Sequence, residues 1–469
     1  MIRRLKNRRF FSHIPSNIYD VVIVGGGITG LTFASVLSSK LYSFPLKIAL
    51  IEESNLENVK KWTPSTLEYS NRVSSLNAST VSFLQDIDVW KHVKKERVQP
   101  YHKIHVWDGI SSSKIEFFSE NYQTESPESN ALAFMIENIN LQHALLKKIT
   151  ELSNPIHIYD SEKISSITYD NYTNNICDLK NWPCIKLLNG KTLISRLLIG
   201  ADGAHSYVRK FSGIESINWD YNAHGLVATL KLTHFSSVNG IPTAWQKFLP
   251  QGPIAILPLP NKYATLVWSC PVEMAEFLKN LPKSTFLSLI NAIYRLDIAD
   301  ISYILSLKSY SEIEDQIEWR LKLYQDNSPI PSFAIDLQDN TRASFQLKTS
   351  HSIDYAKERI ALLGDAAHTV HPLSGQGLNM GLGDVKSLSE VIHNALSVGQ
   401  DIGNFQVLQQ YTSNRYLKNC IMLCITDKLY KLYSTNNPFI VKLRSIGLNS
   451  INQFDWVKRM LMRKVSMEF

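Results

Sequence analysis

Two short runs near the start of the chain are apolar at every position instead of at alternate ones. Asp20-Val-Val-Ile-Val ends in glycines, and Lys47-Ile-Ala-Leu-Ile-Glu follows some twenty residues later. Such runs read as buried parallel strands, apolar on both faces. Between them, Ile28 to Ser39 carries helical spacing at Leu31, Ala34 and Leu37. Strand, helix and strand make a βαβ unit. Leu197-Leu-Ile-Gly-Ala-Asp-Gly and Arg359 to Leu363 predict two further strands. Asn138 to Leu152, Gly377 to Leu396 and residues 404–434 predict helices. From Ser216 to Ser269 the texture changes: strands such as Gly225 to Leu232 and Tyr263 to Ser269 alternate with Pro and Gly turns. That pattern predicts an antiparallel sheet in a separate layer. Residues 272–345 contain helical segments, 54–71 read as a polar loop, and 97–130 mix short β-like pieces with a Ser/Glu-rich loop.

The fold class is therefore α/β, a dinucleotide-type fold assembled from distant segments. Its parts are 18–95, 136–215 and 346–400, with sheet insertions at 96–135 and 216–345 and a helical region at 401–469. A chain of 469 residues accommodates two or three packed units and a large cofactor.

Charge adds one feature. The net charge of +7 is modest, and no Lys/Arg run lies among spaced aromatics, which argues against a nucleic-acid partner. Arg3, Arg4, Lys6, Arg8 and Arg9 nevertheless crowd the first nine residues, with Phe10, Phe11 and Ile14 beside them and no acid before Asp20. Residues 1–17 read as a mitochondrial presequence or as a solvated basic tail. Five cysteines in so long a chain fit a reducing compartment. Cys420 and Cys424 lie one helical turn apart, but no CxxC pair or nearby His supports a metal site.

Three motifs carry chemistry. In Gly25-Gly-Gly27-Ile-Thr-Gly30, between strand and helix, Gly25 permits the tight turn, Gly27 lets backbone approach a pyrophosphate, and Gly30 allows close helix–strand packing. The helix N-terminus offers free amides to phosphate. Glu52 ends the second strand, where a carboxylate binds ribose hydroxyls, which fits FAD or NAD better than NADP. The second motif is Gly200-Ala-Asp202-Gly203-Ala-His-Ser206-Tyr-Val-Arg209, which alone reads as a turn. The third is Gly364-Asp365-Ala-Ala-His368, followed by Pro372 and Gly375-Gln-Gly377-Leu378-Asn379. It puts a carboxylate at a strand end within reach of ribityl hydroxyls, and a helix start beside the pyrimidine end of a flavin.

In this order the motifs resemble the group A flavoprotein aromatic hydroxylases. Met135-Ile-Glu137-Asn138, Ala244-Trp245-Gln246-Lys-Phe248-Leu-Pro-Gln-Gly252-Pro253-Ile-Ala255-Ile-Leu257-Pro258 and Leu266-Val-Trp268-Ser269 resemble one branch of them, the ubiquinone-biosynthesis hydroxylases. The likeness covers roughly residues 18–400, and the basic N-terminus favours the mitochondrial member. One departure is Ile139, where the branch commonly has Arg; the stretch 54–70 also looks expanded.

The resemblance implies a Rossmann-like FAD-binding domain of the p-hydroxybenzoate-hydroxylase type with an inserted antiparallel substrate sheet. Gly25, Gly27, Gly30 and Glu52 would hold the ADP half of FAD, with Arg72 near the pyrophosphate and Gln142 on the FAD side of its helix. Asp202 and Gly203 would border the cofactor, Asp365 would bind ribitol, and Gly375, Gly377, Leu378 and Asn379 would face the isoalloxazine. The implied chemistry is reaction of reduced flavin with O2 to a 4a-hydroperoxide, which hydroxylates a polyprenylated hydroxybenzoate-type ring, at position 5 by analogy. Electrons would come from a ferredoxin and its reductase or from NAD(P)H. The implied setting is a multiprotein ubiquinone-biosynthesis complex on the matrix side of the mitochondrial inner membrane. Trp245, Phe248 and Pro372 are candidate pocket residues, with core packing equally open for the two aromatics. His368 and His371 flank the loop as proton-transfer candidates or, more simply, as packing or capping groups. The mixed apolar and basic stretch from Phe454 to Lys464 suits an anionic membrane surface or a protein partner. A prenyl-group reductase and a non-catalytic scaffold are the rival functions.

Overall fold

A computed structural model describes residues 17–460, except 40–43, 66–67, 112, 120–130, 153, 171–172, 175–176, 180, 325–328, 455 and 459. The expected presequence, residues 1–17, lies almost wholly outside them.

The apolar runs at the N-terminus become the centre of a parallel sheet. Its order is Ile360–Leu362, Thr192–Gly200, Ile18–Val24, Ile48–Glu52 and His157–Asp160. Val22 lies opposite Leu198, and Val21 opposite Ile48, each fully buried. Both faces are covered, which is why the strands carry no polar alternation. On one side the fingerprint helix (Ile28–Leu37) packs between two others, Asn138–Thr150 and Gly377–Ser397.

The second layer is a larger, mostly antiparallel sheet. Strands Ala343–Ser352, Ser216–Leu232, Tyr263–Pro271, Gly252–Pro258 and Ile241–Leu249 run side by side, and the last pairs in parallel with Lys103–Asp108. One face of this sheet is sealed by four helices between Val272 and Leu323. The other face looks back at the parallel sheet. A three-stranded sheet (Val73–Asn77, Ala133–Glu137, Val98–Tyr101) bridges the two layers.

Two expected boundaries move. Lys103–Asp108 and Lys114–Phe118 belong to the large sheet, so the first insertion contributes to two sheets. Ala343–Ser352 is one long strand of that sheet and runs through the expected boundary at 345. Its polar, Ser- and Thr-rich composition hid the strand from a hydrophobic scan. The C-terminal region is helical as read, with a long helix (Phe405–Tyr433) and a further one at Pro438–Gln453.

Candidate active site

The three glycine motifs converge on one cavity of about 880 Å³, lying between the ends of the parallel strands and the open face of the large sheet. That volume is in the range of cofactor and ligand sites. Gly25 takes φ +109°, and a Cβ there would sit 2.2 Å from the Ala201 carbonyl oxygen. At Gly30 a Cβ would fall 2.0 Å from the Gly25 oxygen, so the helix lies directly on the turn. Gly27 differs: a Cβ there would meet nothing within 4 Å, because the residue borders the cavity. It precedes the first turn of the fingerprint helix, whose Ile28 and Thr29 also line the space.

A second helix starts at the same cavity. Gly375 takes φ +60°, Pro372 and Gly375 form the wall, and Gly377 and Leu378 open the helix Gly377–Ser397. Two helix N-termini thus direct free amides and partial positive charge into one space. Asp365 stands between them. Its carboxylate opens into the cavity and accepts no hydrogen bond among the described residues. Burial among surrounding protein raises its affinity for a proton, and the neighbouring His368 ring opposes that. An unpartnered carboxylate flanked by two helix starts is a donor set that fits FAD: amides for phosphate and the flavin's carbonyl edge, and an acceptor for ribityl hydroxyls. Arg72 also lines the wall; it and Asp365 are the ionisable groups that do so among the described residues.

Other expected residues are not among those lining the cavity. Glu52 accepts from the backbone N–H groups of Gly26 and Ser54 and braces the glycine turn. Gln142 donates to the Gly26 carbonyl oxygen at 2.8 Å, tying the helix Asn138–Thr150 to the same turn. Asp202 accepts from Ser206 Oγ and from the Tyr207 and Val208 amides, capping the short helix Tyr207–Ser212. Gly203, next to it, is the residue of that pair on the cavity wall. Asn379 was expected to face the flavin; its side chain is buried and is not among those lining the cavity. It accepts from the Asn77 amide and Thr80 Oγ1 and donates to the Ser75 and Gly375 carbonyls. The motif's last polar residue is a bracket that locks the loop to the strand Val73–Asn77.

The apolar side of the cavity was mostly missed. Val227, Leu257, Thr265, Val267, Ala343 and Phe345 form a largely apolar floor from four neighbouring strands, with Met135 beside them. Trp245 is not among them. It is 1% exposed, stacks on Trp107 at 5.5 Å, and donates to Ser236 Oγ on the helix-covered face. Phe248, three residues on, lies on the cavity-side face by the two-residue pleat. There it is covered by Tyr433 of the long helix, with ring centroids 4.0 Å apart. Both aromatics therefore pack, and of the three pocket candidates only Pro372 lines the cavity. The signal that would have found the floor is register: Val227 opposes Val267, and Thr265 opposes Leu257.

Neither histidine lines the cavity. His368 Nε2 lies 2.6 Å from Asp384 Oδ2, both fully buried. His371 Nδ1 accepts from the Leu373 amide, and its ring sits against Tyr221 and Tyr430. The packing and capping reading fits both.

Comparison with known proteins agrees with this geometry. The family model described as FAD binding domain matches residues 18–276 and 328–418. The ubiquinone biosynthesis monooxygenase COQ6, mitochondrial, of Schizosaccharomyces pombe is 38% identical over 98% of this chain and 94% of its own length. The protein of the same name from Homo sapiens is 32% identical over 97% and 94%. Among solved structures, p-nitrophenol 4-monooxygenase PnpA of Pseudomonas putida superposes with a TM-score of 0.65 at 16% identity, covering 96% of this chain and 98% of that one. HpxO of Klebsiella pneumoniae, solved with FAD and uric acid, gives a TM-score of 0.64 at 14% identity, covering 95% and 96%. Fold and site define a flavoprotein of the FAD-dependent aromatic monooxygenase class. Within that class the chain belongs to the family of mitochondrial ubiquinone biosynthesis monooxygenases.

Proposed function

We propose that this chain hydroxylates the aromatic ring of a polyprenylated hydroxybenzoate-type intermediate in ubiquinone biosynthesis, at position 5. The reaction consumes O2, two electrons and two protons, places one oxygen on the ring in place of hydrogen, and releases the other as water. The observation that carries this reading is one cavity with two different walls: amides and an unpaired carboxylate on one side, an apolar sheet face on the other. FAD, when bound and reduced, supplies the oxygen-transfer chemistry. The chain binds, orients and excludes water. Gly27 and the helix start behind it receive the pyrophosphate, with Arg72 close by. Asp365 accepts from the ribityl hydroxyls, and the amides at Gly377 and Leu378 receive the flavin's carbonyl edge. Glu52, Gln142, Asp202 and Asn379 hold these segments in place. Val227, Val267, Leu257 and Phe345 receive the ring. The relatives' shared monooxygenase name does not favour the prenyl-reductase reading.

The setting is the matrix side of the mitochondrial inner membrane, as a peripheral protein within a ubiquinone-biosynthesis complex. No described helix is long and apolar enough to cross a membrane. The long helix instead exposes Leu417, Ile421, Ile425 and Leu429 at four-residue spacing, and the next helix exposes Phe439, Leu443 and Ile446. Exposed Lys418, Lys428 and Lys442 flank this stripe. The two helices' only acid, Asp427, is buried and paired with Lys431. An apolar stripe with lysines and no exposed acid suits an anionic bilayer. Of the stretch Phe454 to Lys464, Phe454, Trp456 and Met460 are exposed, and several of the remaining residues lie outside the described ones.

Anaerobic reduction of the purified, FAD-loaded chain tests the cofactor and names the donor. Bleaching by a ferredoxin and its reductase or by NAD(P)H, followed by reoxidation with O2 and ring hydroxylation, is the expected result. A chain that takes up no FAD contradicts the proposal.

A further inference from the structure

One buried cluster plays no part in the proposed reaction, and it lies directly behind Asp365. Asp384, on the helix Gly377–Ser397, is 0% exposed. Its Oδ2 accepts from His368 Nε2 at 2.6 Å and from the Gly364 amide at 3.2 Å. Its Oδ1 accepts from Arg415 Nε at 2.9 Å and from Asn419 Nδ2 at 3.0 Å. Arg415 and Asn419 both sit on the inner face of the long helix Phe405–Tyr433, four residues apart. One carboxylate therefore joins two separate elements of the C-terminal half: the Gly364-Asp365 turn and the long helix.

Neighbouring contacts repeat the theme. Tyr411, one turn before Arg415, donates to the Leu362 carbonyl oxygen at 2.8 Å, at the end of the strand that delivers Asp365. A Cβ at Gly383 would lie 2.8 Å from an Arg415 guanidinium nitrogen, so that position stays bare to admit the side chain. Gly364 itself takes φ +57°, a conformation that an amide-to-carboxylate bond helps to fix. The charged partners around Asp384 hold its carboxyl in the ionised form. Buried ion pairs contribute little net stability compared with apolar packing, because desolvation cancels much of the attraction. What they supply is geometry, since every polar atom has a single satisfactory place.

We infer that Asp384, held by Arg415, is a positioning residue for the FAD site: it sets the Gly364-Asp365 turn and so places the carboxylate that meets the ribityl chain. The long helix is then part of the cofactor site although none of its residues lines the cavity. The inference rests on the reading of the cavity as the FAD site.

The test uses the full chain with FAD and measures flavin affinity, flavin midpoint potential and the melting temperature of the apoprotein. Asp384→Asn keeps the shape and loses the charge. It is expected to weaken FAD binding about tenfold or more, as removing the partner of a site ligand does elsewhere, and to shift the potential. In an Asp365→Asn background the same change should cost much less, because the two act through one turn. Arg415→Lys, a milder change, should lie between wild type and Asp384→Asn in affinity. An Arg196→Met control breaks the ion pair with Asp401, whose residues do not line the cavity, and should lower melting temperature without changing FAD affinity. If wild type binds FAD and Asp384→Asn lowers only the melting temperature, or costs the same affinity with and without Asp365, the inference fails. A wild-type chain that binds no FAD would instead overturn the reading of the cavity.

Discussion

The two walls of the cavity are built by different means. The wall proposed for the cofactor is mostly backbone: glycine turns, two helix starts and one carboxylate at a strand end. The wall proposed for the substrate is mostly side chain, a patch of alternate residues on four strands of the large sheet. Backbone sites restrict which residues can stand at a few fixed spacings, so they leave motifs in a sequence. A sheet face asks only for apolar residues of suitable size at every second position, and many sequences satisfy that. The first wall is suited to one cofactor, and the second is free to vary with the substrate.

The largest effect expected from this contrast is at Gly27. Gly27→Trp places a ring in open cavity without touching the fold, so the protein should remain folded and become colourless. Circular dichroism and the visible spectrum check both; an unchanged yellow protein would mean that FAD does not lie along this turn. Next is the opposite wall. Val227→Trp should leave FAD bound but lower ring hydroxylation by about a hundredfold, since displacing a substrate by about an ångström has that order of cost. Steady-state kinetics alongside FAD titration separates the two walls; a variant losing FAD and activity together would merge them.

A smaller effect concerns acid. Burial pushes His105, His351 and His371 down to about 4, so the folded chain holds them neutral. Below the unfolded value of about 6.5 the unfolded chain binds protons that the folded one refuses. Stability is therefore present above pH 6.5 and lost as pH falls from there to about 4. Three protons correspond to a slope of about 4 kcal/mol per pH unit, readable by denaturant titration in that window. A flat profile would mean that these rings are hydrated. Two milder changes finish the series. Ile421→Asp with Ile425→Asp should weaken sedimentation with anionic vesicles while leaving turnover of a soluble substrate unchanged. Trp245→Phe removes the hydrogen bond to Ser236 and should cost about 1–3 kcal/mol of stability with no change in KM. A raised KM would return Trp245 to the pocket.

Much of the fold was legible because the parallel strands are uniformly apolar and end in glycine or acid. The cavity wall at Gly27, Gly203, Asp365, Pro372, Gly375 and Gly377 was legible for the same reason. Side-chain direction was not. Glu52, Gln142, Asp202 and Asn379 sit in the right motifs, yet their polar atoms hold turns and helix ends in place. A motif reports that a residue type is needed near a ligand and is silent on whether the side chain touches it. Trp245 and Phe248 show the converse: an aromatic-rich strand suggested a ring pocket, while sheet pleat and the long helix assign both to packing. The strand Ala343–Ser352 escaped because its partners across the sheet, distant in sequence, supply the burial that its own polar residues do not signal.

The most direct test of ring hydroxylation is isotopic. The FAD-loaded chain, a prenylated hydroxybenzoate-type phenol and a reducing system are incubated under oxygen-18 gas, and the product is weighed by mass spectrometry. One labelled oxygen atom on the ring is the expected result. A product whose new oxygen comes from water, or a reduced prenyl chain with an unchanged ring, would contradict it.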